Sequence, residues 1–368
     1  MKQKTSTKPC TLASIAELAG VSKVTVSRVL NNMGSASRET RERIFEIARV
    51  HGYVPNLKFR HLGRLAGSNE QSKAENLGLL LHPCDVREFS LNPYYGRLFW
   101  SIESATGALG KHLAVSTLKD DPDQYLVKMV ADQKVDGILV ADAIDPAIVS
   151  RIGAVMPVVL VNSTIEGSSS PSIMPDEASG VRQALAHLRE LGHSKITFFY
   201  IADSALPNMN HILRARAFRT LAMEGPNRDS GARTVILPGR AKSLEDTLYD
   251  QLREWLAKGE MPTAILCAAD TYAVAFIEAA RRLELSVPGD LSIIGTDDTL
   301  PCEYVRPRLT SIRQPLEAMG AAGVKTLIER IEAQSAPEEK VTLLFDVTLV
   351  KRDSCAPCRD DGFRSKTC

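Results

Sequence analysis

The chain has 368 residues, 44% hydrophobic and 24% charged, with a net charge of +1. That length predicts two or three globular domains, and no run reaches the roughly 18 apolar residues of a membrane helix. The near-neutral total hides a split: residues 1–64 hold 12 Lys and Arg against 4 Asp and Glu, a balance of +8, which leaves −7 on the rest. A basic head on an acidic body points to a polyanion partner for the head alone, with a solvated basic face as the plain alternative.

The start, "MKQKTSTKPCTLASIAELAG", has no uninterrupted apolar stretch of the secretory kind, so a cytoplasmic protein is expected. Seven scattered cysteines in a large chain fit reduced thiols. Residues 11–51 read as three short helices. The first runs from Leu12 to Leu18 behind a Thr11 cap. Gly20 makes the turn and Ser22 caps the second, and the third opens at Ser37 and stops at Gly52 with Ile44, Ile47 and Ala48 inward. In the second helix a stripe of Val26, Val29 and Leu30 suffices for docking on a small core. Lys23, Val24, Thr25 and Arg28 are then left over. Two helices joined by a tight glycine turn, in the basic part at the chain end, make a helix-turn-helix candidate, which gives those residues a duplex to face. Lys23 and Arg28 can donate to guanine edges and Val24 can touch a thymine methyl. Ser22, Thr25 and Ser27 suit phosphate contacts, which set position rather than read sequence. The competing reading is a plain three-helix cap with Val24 in its core.

After "YVPNLKFRHLGRLAG" and a polar linker, "SNEQSKAEN", the pattern changes. From Asn76 strand-like runs ("LGLLL", "LAVSTL", "GILVA", "PVVLVN", "KITFFYI", "RTVILP", "TAILCA", "LSIIGT") alternate with helical stretches at about 93–110, 122–133, 146–153, 177–191, 212–224, 243–258 and 271–284. Such alternation predicts an α/β fold of parallel sheets covered by helices on both faces. Eight strands fit one large sheet or two smaller ones. In open α/β folds ligands sit at the carboxyl ends of strands, which nominates Asn162, Ala269, Asp270 and Asp297.

Enzyme signatures fail. "GALGKH" at 107–112 has Ala105 where a phosphate loop needs its first glycine and His112 where it needs Ser or Thr. Neither G-x-S-x-G nor HExxH occurs. "CAPC" at 355–358 is a lone pair without the second pair of a four-ligand zinc site. No enzyme activity, metal or cofactor is expected.

"TLASIAELAGVSKVTVSRVLNN", "RETRERIFEIARVHGYVPN", "NPYY", "VDGILV", "DEASG", "HLRELGHSKI", "PTAILCAAD", "VPGDLSIIGTDD" and "LTSIRQP", in this order and spacing, resemble the LacI/GalR family of bacterial transcription regulators over residues 11 to about 354. The resemblance implies a helix-turn-helix three-helix head (1–56), a hinge helix (57–66), a linker (67–75) and a two-subdomain Rossmann-like, periplasmic-binding-protein-like effector domain. Its subdomains would be 76–163 with 315–342, and 164–314 with 343–354, followed by a polar tail (355–368). In the hinge, Asn56, Arg60 and Leu62 would contact DNA, Leu62 as a minor-groove wedge that kinks the duplex. Phe59 departs from the small alanine usual there. Arg214 in "RARAF" matches the arginine of the family's R-x-x-G-F and should reach a ligand hydroxyl or carboxylate. Tyr95, ahead of Tyr94, would stack on the ligand. Ala269 and Ala217 replace an asparagine and a glycine common in the family. The implied partners are palindromic double-stranded operator DNA, a sugar-like effector and a second copy of the chain, with repression the commoner mode. A sugar-binding protein without a gene-regulatory role is the alternative.

Overall fold

The structure, a computed structural model, describes residues 11–30, 36–51, 53, 75–81, 93–117, 128–141, 145–202, 208–224, 231–238, 243–333 and 341–359. The hinge, with Asn56, Phe59, Arg60 and Leu62, lies outside the described residues.

The head is three helices: α1 (Leu12–Ala19), α2 (Lys23–Leu30) and α3 (Arg38–Val50). Thr11 and Ser14 cap α1 reciprocally, side chain to backbone in both directions, which satisfies two of its orphan N–H groups. Gly20 ends it at φ +65, in the left-handed region that favours glycine. Ser22 Oγ then accepts from Thr25 N at 3.0 Å and starts α2. Ile15, Ala19, Val26, Val29, Ile44, Ala48 and Tyr53 are buried together as the core of this unit.

The body alternates strands and helices. Its first part runs β1 (Asn76–Leu81), α4 (Pro93–Ala108), β2 (His112–Thr117), α5 (Lys128–Ala131), β3 (Gly137–Ala141), α6 (Pro146–Gly153), β4 (Val158–Val161) and β5 (Ser172–Pro175). Then come α7 (Glu177–Glu190), β6 (Ile196–Ala202), α8 (Met209–Ala222), β7 (Arg233–Pro238), α9 (Leu244–Lys258), β8 (Ala264–Cys267), α10 (Asp270–Arg282), β9 (Ser292–Asp297), α11 (Pro301–Tyr304) and β10 (Thr310–Arg313). The chain finishes with α12 (Leu316–Ala333), β11 (Thr342–Phe345) and β12 (Thr348–Val350).

Two six-stranded sheets result, ordered β11-β5-β4-β3-β1-β2 and β12-β10-β9-β8-β6-β7. All pairings are parallel except β10 with β12. Strands β3, β4, β8 and β9 are buried at every position, as expected of parallel strands covered on both faces. The question of one sheet or two is settled in favour of two.

The boundaries shift from those expected. Residues 164–175 do not enter the second subdomain, because β5 pairs with β4 through Leu160↔Ser172 and Val161↔Ile173. The chain crosses after Pro175, crosses back between Arg313 and Leu316, and crosses finally between Phe345 and Thr348, since β11 completes the first sheet on β5. Residues 343–345 therefore belong to the first subdomain. The supposed tail is also anchored at its start. Ile293 N donates to the Ser354 carbonyl at 2.9 Å, Cys358 N donates to the Leu191 carbonyl at 2.7 Å, and Cys355 packs on the core of the second subdomain.

Candidate functional site

Two places concentrate chemistry. The first is the outer face of α2. Lys23, Val24 and Arg28 are exposed, Val24 at 60%, while Thr25 and Ser27 are half-buried beside them. Val26, Val29 and Leu30 face inward. An exposed valine between two cations on a short docked helix excludes the reading in which Val24 is core. Ser22 Oγ is engaged by Thr25 N and Oγ1, so its side chain holds the helix start.

The second lies where the two subdomains meet, at the carboxyl ends of β4, β6, β8 and β9. Here the backbone leaves its usual regions: Asn162 (φ 52), Asp297 (φ 112) and Asp298 (φ 48) have positive φ without being glycine. Such residues cost free energy and cluster at functional sites. Tyr94, from α4, hydrogen-bonds Asn162. Asn210, in the first turn of α8, donates Nδ2 to the Asn162 carbonyl at 2.9 Å and ties one subdomain to the other. A second tie runs from Arg97 Nη1 to the Asp298 carbonyl at 3.1 Å.

Arg214 lies at the centre, 3% exposed. Its Nε and Nη2 donate to both oxygens of Glu177 at 2.5 and 2.8 Å, and its Nη1 donates to the Ala268 carbonyl at 2.6 Å. Asp297 Oδ1 stands 3.9 Å from Nη2 and accepts from Gln314 Nε2 at 2.6 Å. Burial works against the Arg214 charge, but the Glu177 and Asp297 carboxylates outweigh it and raise its pKa above the ordinary arginine range. Burial raises the Glu177 carboxyl in turn, and the adjacent guanidinium opposes that rise. Enclosure among the Tyr200 and Tyr272 rings, then the Arg214 charge, pushes His211 down to about 3, so it is neutral at physiological pH.

Of the residues nominated from sequence, the structure brings Asn162, Arg214 and Asp297 into one constellation. Asp270 is otherwise engaged: Ser311 Oγ donates to Oδ1 at 2.6 Å, and Thr299 N and Oγ1 donate to Oδ2 at 2.7 and 2.9 Å. Ala269 precedes it as the α10 cap without a side-chain hydrogen bond. Tyr94 joins the constellation through its hydroxyl, whereas Tyr95 is half-buried against the core of the first subdomain. Sequence reasoning passed over Glu177, Asn210 and Gln314. The only signal for Glu177 was its place in "DEASG", and nothing in that string says that its carboxylate meets an arginine 37 residues on.

Among the described residues no helix is long and apolar enough to cross a membrane. A family model described as "Bacterial regulatory proteins, lacI family" matches residues 11–56, and one described as "Periplasmic binding protein-like domain" matches residues 185–355. The HTH-type transcriptional regulator DegA of Bacillus subtilis is 30% identical over 364 residues, covering 94% of this chain and 98% of its own. The HTH-type transcriptional regulator MalR of Streptomyces coelicolor is 31% identical over 365 residues, covering 94% and 96%. A Lac repressor dimer bound to operator and the anti-inducer ONPF superposes with a TM-score of 0.64 at 26% identity, covering 95% of this chain and 100% of that one. A LacI family transcriptional regulator from Enterococcus faecium with bound ribose gives 0.61 at 25%, covering 77% and 100%.

Proposed function

The chain belongs to the lacI family of bacterial regulatory proteins and is a DNA-binding transcription regulator, and from that premise we propose a cytoplasmic repressor, without catalytic activity, that is controlled by a sugar-like effector. Two copies read the two halves of a palindromic operator. In each head Lys23, Val24 and Arg28 face the bases, and Ser22, Thr25 and Ser27 contact the backbone. Asn56 at the end of the head, with Arg60 and Leu62 of the hinge, completes the contact. The observation that carries this reading is the exposed, cationic outer face of α2 on a helix whose inner face is fully packed.

The effector occupies the meeting place of the subdomains, among Tyr94, Asn162, Arg214 and Asp297, with Tyr95, Ala269 and Asp270 around it. Binding there changes the angle between the sheets. The partner copy sits on an apolar groove lined by Pro93, Val274, Leu300, Pro301, Tyr304 and Val305, where Leu300 and Tyr304 are 60% and 70% exposed.

The test is selection of the full-length chain against a random duplex library. An enriched palindrome, lost with Arg28→Ala, is the expected result. Binding without any enriched sequence would overturn a sequence-reading regulator and favour a sugar-binding protein with a merely basic head.

A further inference from the structure

We infer that Glu177 makes the effector cleft reject anions, so that its ligand is an uncharged, hydroxyl-rich molecule and not a sugar phosphate or sugar acid. This rests on the reading of the cleft as an effector site. Arg214 is the buried cation beside Asp297, and an anionic ligand held among Asn162, Arg214 and Asp297 would need its guanidinium. Glu177 already holds two of its three nitrogens with both carboxylate oxygens, and the Ala268 carbonyl holds the third. A bidentate, buried carboxylate is the strongest partner a guanidinium finds. An incoming phosphate would have to share the guanidinium through the N–H groups left on Nη1 and Nη2, beside the Asp297 carboxylate, or displace Glu177 and leave it buried and unpaired; both are unfavourable. Asp297, 3.9 Å from the same guanidinium, adds a second negative charge, so two carboxylates face that guanidinium.

The neutral groups agree. Gln314 must turn its Nε2 to the Asp297 carboxylate, and Asn210 must turn its Nδ2 to the Asn162 carbonyl, because those partners only accept. That orientation leaves Gln314 Oε1 and Asn210 Oδ1 buried without a hydrogen-bond partner. Unpaired buried acceptors are costly and demand donors. Hydroxyl groups supply donors, whereas a phosphate or carboxylate at neutral pH supplies more acceptors. Glu177 is thus a specificity-determining residue, acting through Arg214.

The experiment uses full-length wild type and Glu177→Gln, with inorganic phosphate and D-gluconate as anionic probes and ribose as a neutral one. Binding is read by thermal shift and calorimetry at fixed ionic strength. Wild type is expected to ignore both anions. Glu177→Gln frees the guanidinium and is expected to bind phosphate saturably, at least about tenfold more tightly than wild type; Glu177→Gln/Arg214→Gln should lose that gain. Glu177→Asp, which keeps a charge beside Arg214, should stay blind to phosphate. Saturable anion binding by wild type that Arg214→Gln abolishes would overturn the inference. So would a folded Glu177→Gln without any gain. Should Glu177→Gln fold only in phosphate and not in chloride, that is the expected gain in another form; should it fold in neither, the wild-type arm decides alone. Operator DNA is absent throughout, so a failure here is distinct from a failure of effector control, which would appear as operator affinity unmoved by any neutral sugar.

Discussion

At the residue scale, burial distinguishes side chains that hold the protein together from those that face a partner. Val24 is 60% exposed between Lys23 and Arg28, while Val26, two residues on, is fully buried. The spacing of valines within "SKVTVSRVLN" already implied that division, because only one stripe of a helix can dock on a small core. Lys23→Ala and Arg28→Ala should each weaken binding to the selected operator by about 1–3 kcal/mol and relax preference at one position. Fluorescence anisotropy on the operator and on scrambled duplex separates base reading from phosphate contact. Equal losses on both would reduce these residues to charge neutralisation. Arg214 shows where sequence falls short. Its match to R-x-x-G-F implied a ligand group, and nothing in that motif showed that the same guanidinium donates to Glu177 and to the Ala268 carbonyl. Local sequence carries no signal for a partner on a different helix.

At the element scale, β1, β3, β4, β6, β8 and β9 were legible because buried parallel strands are continuous apolar runs, and the edge strands β2 and β7 were legible from shorter apolar stretches. Four strands were not. β5 is "SIMP", β10 "TSIR", β11 "TLLF" and β12 "TLV"; none is an unbroken apolar run, as the equally short β4 and β8 are, and each is too short for a period to show. Missing β5 and β11 put two crossings in the wrong place. The helix α12 was also absent from the expected pattern, and Gly320 and Gly323 explain why. They interrupt its apolar stripe, and close packing requires both. A Cβ at Gly320 would stand 2.8 Å from the Ser101 backbone carbon on α4, and one at Gly323 would stand 2.8 Å from Val161 Cγ2. Gly320→Ala gains about 1 kcal/mol of helix propensity, but the backbone contact forces α4 and α12 apart at a cost of about 1–3 kcal/mol. Net destabilisation is expected, read as a lower urea midpoint. Gly107→Ala is the control, since a Cβ there meets nothing within 4 Å, and it should be neutral or stabilising. A stabilised Gly320→Ala protein would show that the two helices are not in close contact.

At the scale of the whole molecule, the strand ends of two sheets meet through a few hydrogen bonds, and in the proposed mechanism the effector acts on the operator through them. Asn210 to Asn162 and Arg97 to Asp298 are ties that a change in the angle between subdomains would strain or break. Linkage makes the coupling reciprocal: whatever factor a ligand imposes on operator affinity, the operator imposes on ligand affinity. In the proposed dimer, operator affinity depends on pairing two heads. Leu300 and Tyr304 project from the second subdomain beside an apolar groove, and large exposed apolar side chains grouped this way mark an interaction surface. A two-fold dimer is the simplest closed assembly such a surface can make. Leu300→Asp/Tyr304→Asp places two charges on that surface. Both positions are exposed in the single chain, so its fold and thermal midpoint should survive. Light scattering at micromolar concentration should give a dimer for wild type and a monomer for the variant. Operator binding should then fall on the order of a hundredfold or more, because the second head loses its effective concentration on the DNA. Affinity for an isolated half-site should stay the same, since the recognition helix is untouched. A variant that stays dimeric would move the interface elsewhere, and a monomeric variant with full operator affinity would show that one head suffices.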